Sequence, residues 1–136
     1  VLFLCTGNSC RSQIAEGYAR ALRADVIEAY SAGIVAHGQN PLAIRVMAED
    51  GIDITGQHSK TLQSLLDAGI AFDTVYTVCG HADESCPVFP GHTKVVHHGF
   101  DDPPKLAKDA ATEEEAIGHY RRVRDEIRAW IESLEA

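Results

Sequence analysis

The sequence predicts an α/β fold: one doubly wound domain, residues 1–136, with a four-stranded parallel sheet and helices on both faces. Three observations predict it. Short apolar or β-branched runs alternate with amphipathic segments of helical period, the pattern of strands joined by right-handed βαβ crossovers. No repeat, linker or shift of composition divides the chain. Its make-up, 45% apolar and 24% charged, is that of an ordinary globular domain, and a chain of ~150 residues buries about 70% of its unfolded surface without a metal or disulfide staple.

Val1-Leu2-Phe3-Leu4 reads as a short buried strand that runs into a loop. Past Cys5-Thr6-Gly7-Asn8-Ser9-Cys10-Arg11-Ser12, the residues Ile14/Ala15, Tyr18/Ala19 and Leu22 recur at the period of an amphipathic helix. Val26 to Ser31 is the second strand candidate. Asn40-Pro41 reads as an N-cap with proline at the first helical position, and Gly51 closes that helix. Ser59 or Thr61 starts a short helix through Leu62, Leu65 and Leu66, ended by Gly69. Thr74 to Val78, rich in β-branched residues, is a third strand. Gly80 to Gly91, with Pro87 and Pro90, is a loop, and Lys94 to His98 a fourth strand. Asp101-Asp102-Pro103-Pro104 neither continues a strand nor begins an undistorted helix ahead of its prolines. Thr112 and Glu115 form a capping box for a last helix, whose Ile117, Tyr120, Val123, Ile127, Trp130/Ile131 and Leu134 share one face. The expected strand order is 2-1-3-4, with the switch point between strands 1 and 3. Cys5, Cys79 and Asp102 follow strands 1, 3 and 4, so all three emerge at one carboxyl edge.

With 12 Lys and Arg against 20 Asp and Glu, the net charge is −8. This argues against nucleic-acid or anionic-membrane partners, which need a basic face. The longest apolar run, Val1–Cys5, is far short of the ~18 residues of a membrane span. An anionic substrate must therefore be attracted locally. No secretory leader is visible, so the expected compartment is cytoplasmic. There the four cysteines, Cys5, Cys10, Cys79 and Cys86, serve catalysis, redox chemistry or metal binding rather than structural bridges.

Cys5-x5-Arg11-Ser12 is the most specific feature. A cysteine at a strand end, a glycine-containing loop and an arginine in the first helical turn form a cup. In it the backbone N–H groups of Thr6, Gly7, Asn8, Ser9, Cys10 and Arg11 converge on an oxyanion. Arg11 adds a planar fork that pairs two oxygens of a tetrahedral oxyanion, which Lys cannot do. The helix end and Arg11 favour thiolate over thiol at Cys5, and Ser12 is placed to donate a hydrogen bond to that sulfur. The bland alternative is a strand-to-helix turn with a buried cysteine and an incidental arginine. The order of strand, cysteine, glycine, arginine and helix argues against it.

These residues resemble the phosphate loop of low-molecular-weight protein tyrosine phosphatases, and more closely that of the thioredoxin-coupled arsenate reductases built on the same fold. The resemblance extends through Gln13–Gly17, Tyr30–Ile34, His37-Gly38 with Asn40-Pro41, Gly51–Ile54, Cys79–Pro90, Gly99–Pro103 and Arg122–Ile127. It implies Cys5 as the nucleophile and the loop with Arg11 as an arsenate site for which phosphate and sulfate compete. It also implies Asp102 as general acid, against the bland reading of an Asp-Asp-Pro-Pro turn. The loop alone does not choose between the two activities, because phosphate and arsenate are nearly isosteric.

Cys79 and Cys86 make the choice. A phosphatase needs one thiol, since water resolves its phosphocysteine. Arsenate reduction needs two electrons, so a second thiol must displace arsenic from sulfur and leave a disulfide. Cys79, after strand 3 and beside Cys5 in the expected order, is placed for that step. Cys86, among turn residues, would attack Cys79 and export the disulfide to thioredoxin. The segment from Cys79 to Pro87 resembles the redox segment of the thioredoxin-coupled reductases. Two buried structural cysteines are the bland alternative, and a zinc site joining the pair to His81, His92, His97 or His98 is another. C-x6-C is wider than the usual zinc spacing, and adjacent strand residues such as His97 and His98 point to opposite faces, one packed and one solvated. Cys10 is accessory, since no step requires it. No cofactor or metal is expected.

Pro104 stands where the phosphatases carry a pocket tyrosine and Gln13 where they carry proline, and both weaken the phosphatase reading. Some of the reductases resemble potassium-binding proteins through equivalents of Asn8, Glu16 and Ser31 plus an acidic residue near position 60. Here that position holds Lys60, whose ammonium is expected to replace the cation and stabilise the loop. The leading expectation is a monomeric arsenate reductase coupled to thioredoxin. The runner-up is a low-molecular-weight phosphatase, and the third reading a non-enzymatic anion-binding or redox-sensing module.

Overall fold

The apolar run at the start of the chain becomes β1, Leu2–Cys5, buried at every residue. It is flanked by β2 (Tyr30–Gly33) and β3 (Thr74–Thr77), with β4 (Lys94–His97) beyond β3, all parallel in the order β2-β1-β3-β4. This is the order the alternation of elements implied. The structure, a computed structural model, describes residues 1–5, 8, 10–33, 36, 38–78 and 94–134.

The helices follow from local chemistry. α1 is Arg11–Leu22. α2, Pro41–Glu49, is capped by Asn40, whose side chain accepts from the N–H of Leu42 and Ala43, and it ends before Gly51 at φ +78°. α3, Leu62–Asp67, settles the choice between Ser59 and Thr61, because Thr61 Oγ1 accepts from Ser64 N at 3.2 Å. α4, Pro103–Ala107, is a short helix that begins on the prolines themselves, with Asp102 at the N-cap position. The two missing N–H groups fall where a helix has no use for them. In α5, Glu113–Ser133, Thr112 Oγ1 accepts from Glu115 N, while the Glu115 carboxylate returns to Ala111 N rather than to Thr112.

The sequence predicts the second strand at Val26 to Ser31, but β2 begins at Tyr30. Val26 and Ile27 instead turn back on Arg23 O, at 3.1 and 2.7 Å, and Val26 is 49% exposed. Pairing with β1, from Leu2↔Tyr30 to Cys5↔Gly33, fixes the strand on a sequence of modest strand propensity, and that non-local constraint overrides β-branching.

Alternation along β1 divides the core. Phe3 and Cys5 face α1, α2 and α5, whereas Leu2 and Leu4 join Ala32, Leu65, Phe72 and Val75 on the α3 side. Trp130 of α5 packs against Tyr76 at 5.1 Å, Phe100 at 5.5 Å and Phe3 at 5.8 Å. His98 stacks on the same indole at 4.9 Å, and His97 Nδ1 lies 2.8 Å from Thr77 Oγ1. Both histidines stay exposed on the edge strand side, so the expected split into one packed and one solvated member does not occur. Asp50, the C-cap of α2, accepts from Tyr18 of α1 at 2.7 Å and Arg128 of α5 at 2.6 Å, tying the three helices together. No helix among the described residues is long and apolar enough to cross a membrane.

Candidate active site

Cys5 ends β1 and is 3% exposed. Parallel pairing puts the end of β3 beside it and the end of β4 one strand further along, so the chemistry gathers at one carboxyl edge. Val78 continues from β3 and donates to Leu4 O at 2.8 Å.

Beyond Cys5, Asn8 adopts φ +47°, a conformation Asn tolerates better than most residues. Asn8 is fully buried, and its amide works in both directions. Nδ2 donates to Ser12 Oγ at 2.8 Å, while Oδ1 accepts from Lys60 N at 2.9 Å and Gln13 Nε2 at 3.2 Å. Ser12 Oγ lies 2.9 Å from Cys5 Sγ. Because Ser12 accepts from Asn8, its own proton is left to donate to the sulfur, which is the orientation a thiolate needs.

Arg11, 4% exposed, opens α1. Its Nη1 donates to Phe100 O at 3.1 Å and Val78 O at 3.4 Å, and Nη2 is 3.9 Å from Asp102 Oδ1. The guanidinium thus ties the chain beyond β3 to the chain beyond β4. Cys10 is buried beside Cys5. Burial first, and Cys5 second, push its thiol well above the usual range, with Arg11 opposing. Tyr120 of α5 accepts from Asn40 Nδ2 at 3.0 Å, and burial, with Cys10 nearby, pushes its hydroxyl up to about 12.

Of the residues singled out in the sequence, Cys5, Asn8, Cys10, Arg11, Ser12 and Asp102 come together here. Thr6, Gly7, Ser9, Cys79 and Cys86 lie outside the described residues, as do His81 and His92. Among the described residues, no three His, Cys, Asp or Glu side chains gather as a metal ion requires.

The profile described as low molecular weight phosphotyrosine protein phosphatase matches residues 1–136. The chain belongs to this family. An arsenate reductase of Halalkalibacterium halodurans is 52% identical to it over 93% of the chain and 88% of that protein. A solved structure titled an arsenate reductase in the phosphate binding state superposes with TM-score 0.73 at 30% identity, covering 96% of this chain and 92% of that one. A thioredoxin-dependent arsenate reductase of Corynebacterium glutamicum superposes with TM-score 0.59 at 26% identity, covering 96% of this chain and 60% of that one.

In this member of the phosphatase family, sequence reasoning missed a second layer behind the loop. Gln13, fully buried, donates from Nε2 to Asn8 O at 3.2 Å and His58 O at 3.1 Å, and its Oε1 accepts from Gln57 Nε2 at 2.7 Å. Gln39 ties the layer to Ile54 O at 2.6 Å. The signal available was a glutamine in the first turn of α1 where the phosphatases carry proline. Its partners His58 and Gln57 lie 45 and 44 residues away in a segment without period. Lys60 completes the layer. Burial pulls its ammonium below the usual range while Glu16 pulls it back.

Proposed function

We propose that residues 1–136 form one cytoplasmic, monomeric enzyme domain that reduces arsenate to arsenite through Cys5, Cys79 and Cys86, with thioredoxin as the reductant, and so contributes to arsenical resistance. The observation that carries this reading is the Cys5–Ser12–Asn8 chain under Arg11, in a protein with two further thiols beyond the neighbouring strand. Relatives at about half identity that are named arsenate reductases support it.

In this mechanism the loop amides and Arg11 hold arsenate while the Cys5 thiolate attacks As(V), and a protonated arsenic oxygen leaves as water. Asp102 supplies that proton. The Cys79 thiolate then attacks Cys5 Sγ. The S–As bond breaks with its electron pair going to arsenic, which departs as arsenite, and a Cys5–Cys79 disulfide remains. Cys86 attacks Cys79, freeing Cys5 and leaving a Cys79–Cys86 disulfide. The dithiol of thioredoxin reduces that bridge by exchange, so two electrons enter for each arsenate.

Mass mapping of thiols after one arsenate turnover without reductant tests the relay. A Cys79–Cys86 bridge with Cys5 free is expected, and an unchanged thiol count would overturn it. In the coupled assay, Cys86→Ser should stop multiple turnover with thioredoxin. The phosphatase reading rests on the family match and on Asp102 beside Arg11. It predicts repeated turnover of an aryl phosphate that survives loss of both Cys79 and Cys86.

A further inference from the structure

The potassium site implied by the reductase resemblance does not fit the residues present. Asn8 Oδ1 already accepts two N–H donors, from Lys60 and Gln13. Glu16, 1% exposed, accepts from Ser31 Oγ at Oε1 and pairs with Arg20 Nε at Oε2, 2.9 Å away. Lys60 Nζ stands 3.6 Å from Glu16 Oε1 and donates to His58 O at 2.9 Å. A dissolved cation would meet a fixed ammonium among the oxygens it needs.

We infer that Lys60 is a positioning residue acting as a tethered monovalent cation, which neutralises buried Glu16 and holds the back of the anion loop so that the site needs no dissolved potassium. The path to the nucleophile is short. Lys60 N donates to Asn8 Oδ1, Asn8 Nδ2 to Ser12 Oγ, and Ser12 Oγ contacts Cys5 Sγ. The Lys60 carbonyl accepts from Gly33 N at 3.0 Å, anchoring the same residue to the end of β2. The ammonium fixes the residue from its side-chain end. His58, whose carbonyl it holds, also receives Gln13, so one cation braces both partners of Asn8.

Lys60→Ala separates the ammonium from the rest, because the main-chain bonds to Asn8 and Gly33 survive it. What remains around the vacated position is Glu16 Oε1, Ser31 Oγ and His58 O, oxygen donors of the kind hard cations take. The variant should therefore depend on a cation that the native chain carries within itself.

The inference rests on the arsenate-reductase reading for its kinetic arm, so a second arm does not use that activity. Arsenate reduction with thioredoxin is measured at fixed ionic strength while KCl or NH4Cl replaces choline chloride. In parallel, Tm and inorganic sulfate affinity are measured in the same salts. The native chain should change less than about twofold, whereas Lys60→Ala should lose about tenfold in kcat/KM in choline and recover most of it in KCl or NH4Cl. Its Tm and sulfate affinity should rise with the same salts, and Lys60→Arg should stay active and unresponsive. Potassium stimulation of the native chain would overturn the inference. So would a Lys60→Ala protein that is fully active in choline, or one whose Tm and sulfate binding ignore the cation. A chain without arsenate turnover whose Lys60→Ala variant still gains Tm and sulfate affinity in KCl would sink the functional reading alone.

Discussion

Arg11, in the first turn of α1, donates from Nη1 to the main-chain oxygen of Phe100, 3.1 Å away and 89 positions along the chain. The same nitrogen reaches Val78 O, and Nη2 faces Asp102. One planar cation therefore organises both chain segments that leave the sheet beside Cys5. An ammonium is a point charge and cannot serve these partners together. Arg11→Lys should lower kcat/KM for arsenate by roughly 100- to 1000-fold, the scale of losing an oxyanion donor. Steady-state kinetics alongside far-UV circular dichroism would separate this from unfolding.

Ser12 accepts from Asn8, which leaves its hydroxyl to donate a hydrogen bond to Cys5. A hydrogen bond to a charged partner contributes about 1.5–3 kcal/mol. Ser12→Ala should slow the first arsenate turnover by roughly 10- to 100-fold, and should also lower Tm, because it leaves the buried Asn8 Nδ2 without its acceptor. Rapid-quench single-turnover measurements read this directly.

Acid should loosen the helical layer through Asp50. The Tyr18 hydroxyl, and after it Arg128, holds this carboxyl below its ordinary value of 3.8. The unfolded chain then binds the proton more tightly than the folded one. The contribution is complete above pH 3.8 and drains away as pH falls toward the lower folded value. Asp50→Asn should lower Tm near neutrality, and the gap from the native chain should close below pH 3.8. Thermal melts across that range check the sign.

Gly17 lies where α1 meets the segment after α2. A Cβ there would come within 2.7 Å of Ile54 Cγ2 and 3.0 Å of Met47 Cε. Alanine gains about 1 kcal/mol of helix propensity, but overpacking a filled core costs about 1–3 kcal/mol. Gly17→Ala should therefore be neutral to destabilising by up to ~2 kcal/mol, read by urea titration.

Much of this was legible where the chemistry is local. Asn40-Pro41, Thr61 and the Thr112–Glu115 pair announce helix starts because a cap is satisfied within three residues. The spacing of Cys5 and Arg11 was legible because a strand end and a helix start must both meet one anion. β2 was misplaced because its position is set by β1, on another part of the chain. The short helix on Pro103-Pro104 was passed over because prolines that end one element can also begin the next. The glutamine support behind Asn8 was hidden for a similar reason. Gln13 joins it to Gln57 and His58, 44 and 45 residues away, in a stretch with no hydrophobic period to give its place.

The chain's one tryptophan has its ring 4.9 Å from His98 and 5.5 Å from Phe100, the residue whose carbonyl holds Arg11. The indole thus sits one residue's packing away from the guanidinium, with His98 stacked on it and Phe100 tilted against it. An oxyanion that loosens the Arg11–Phe100 contact should change Trp130 emission, and a sulfate titration reads this with no dye, tag or coupled enzyme.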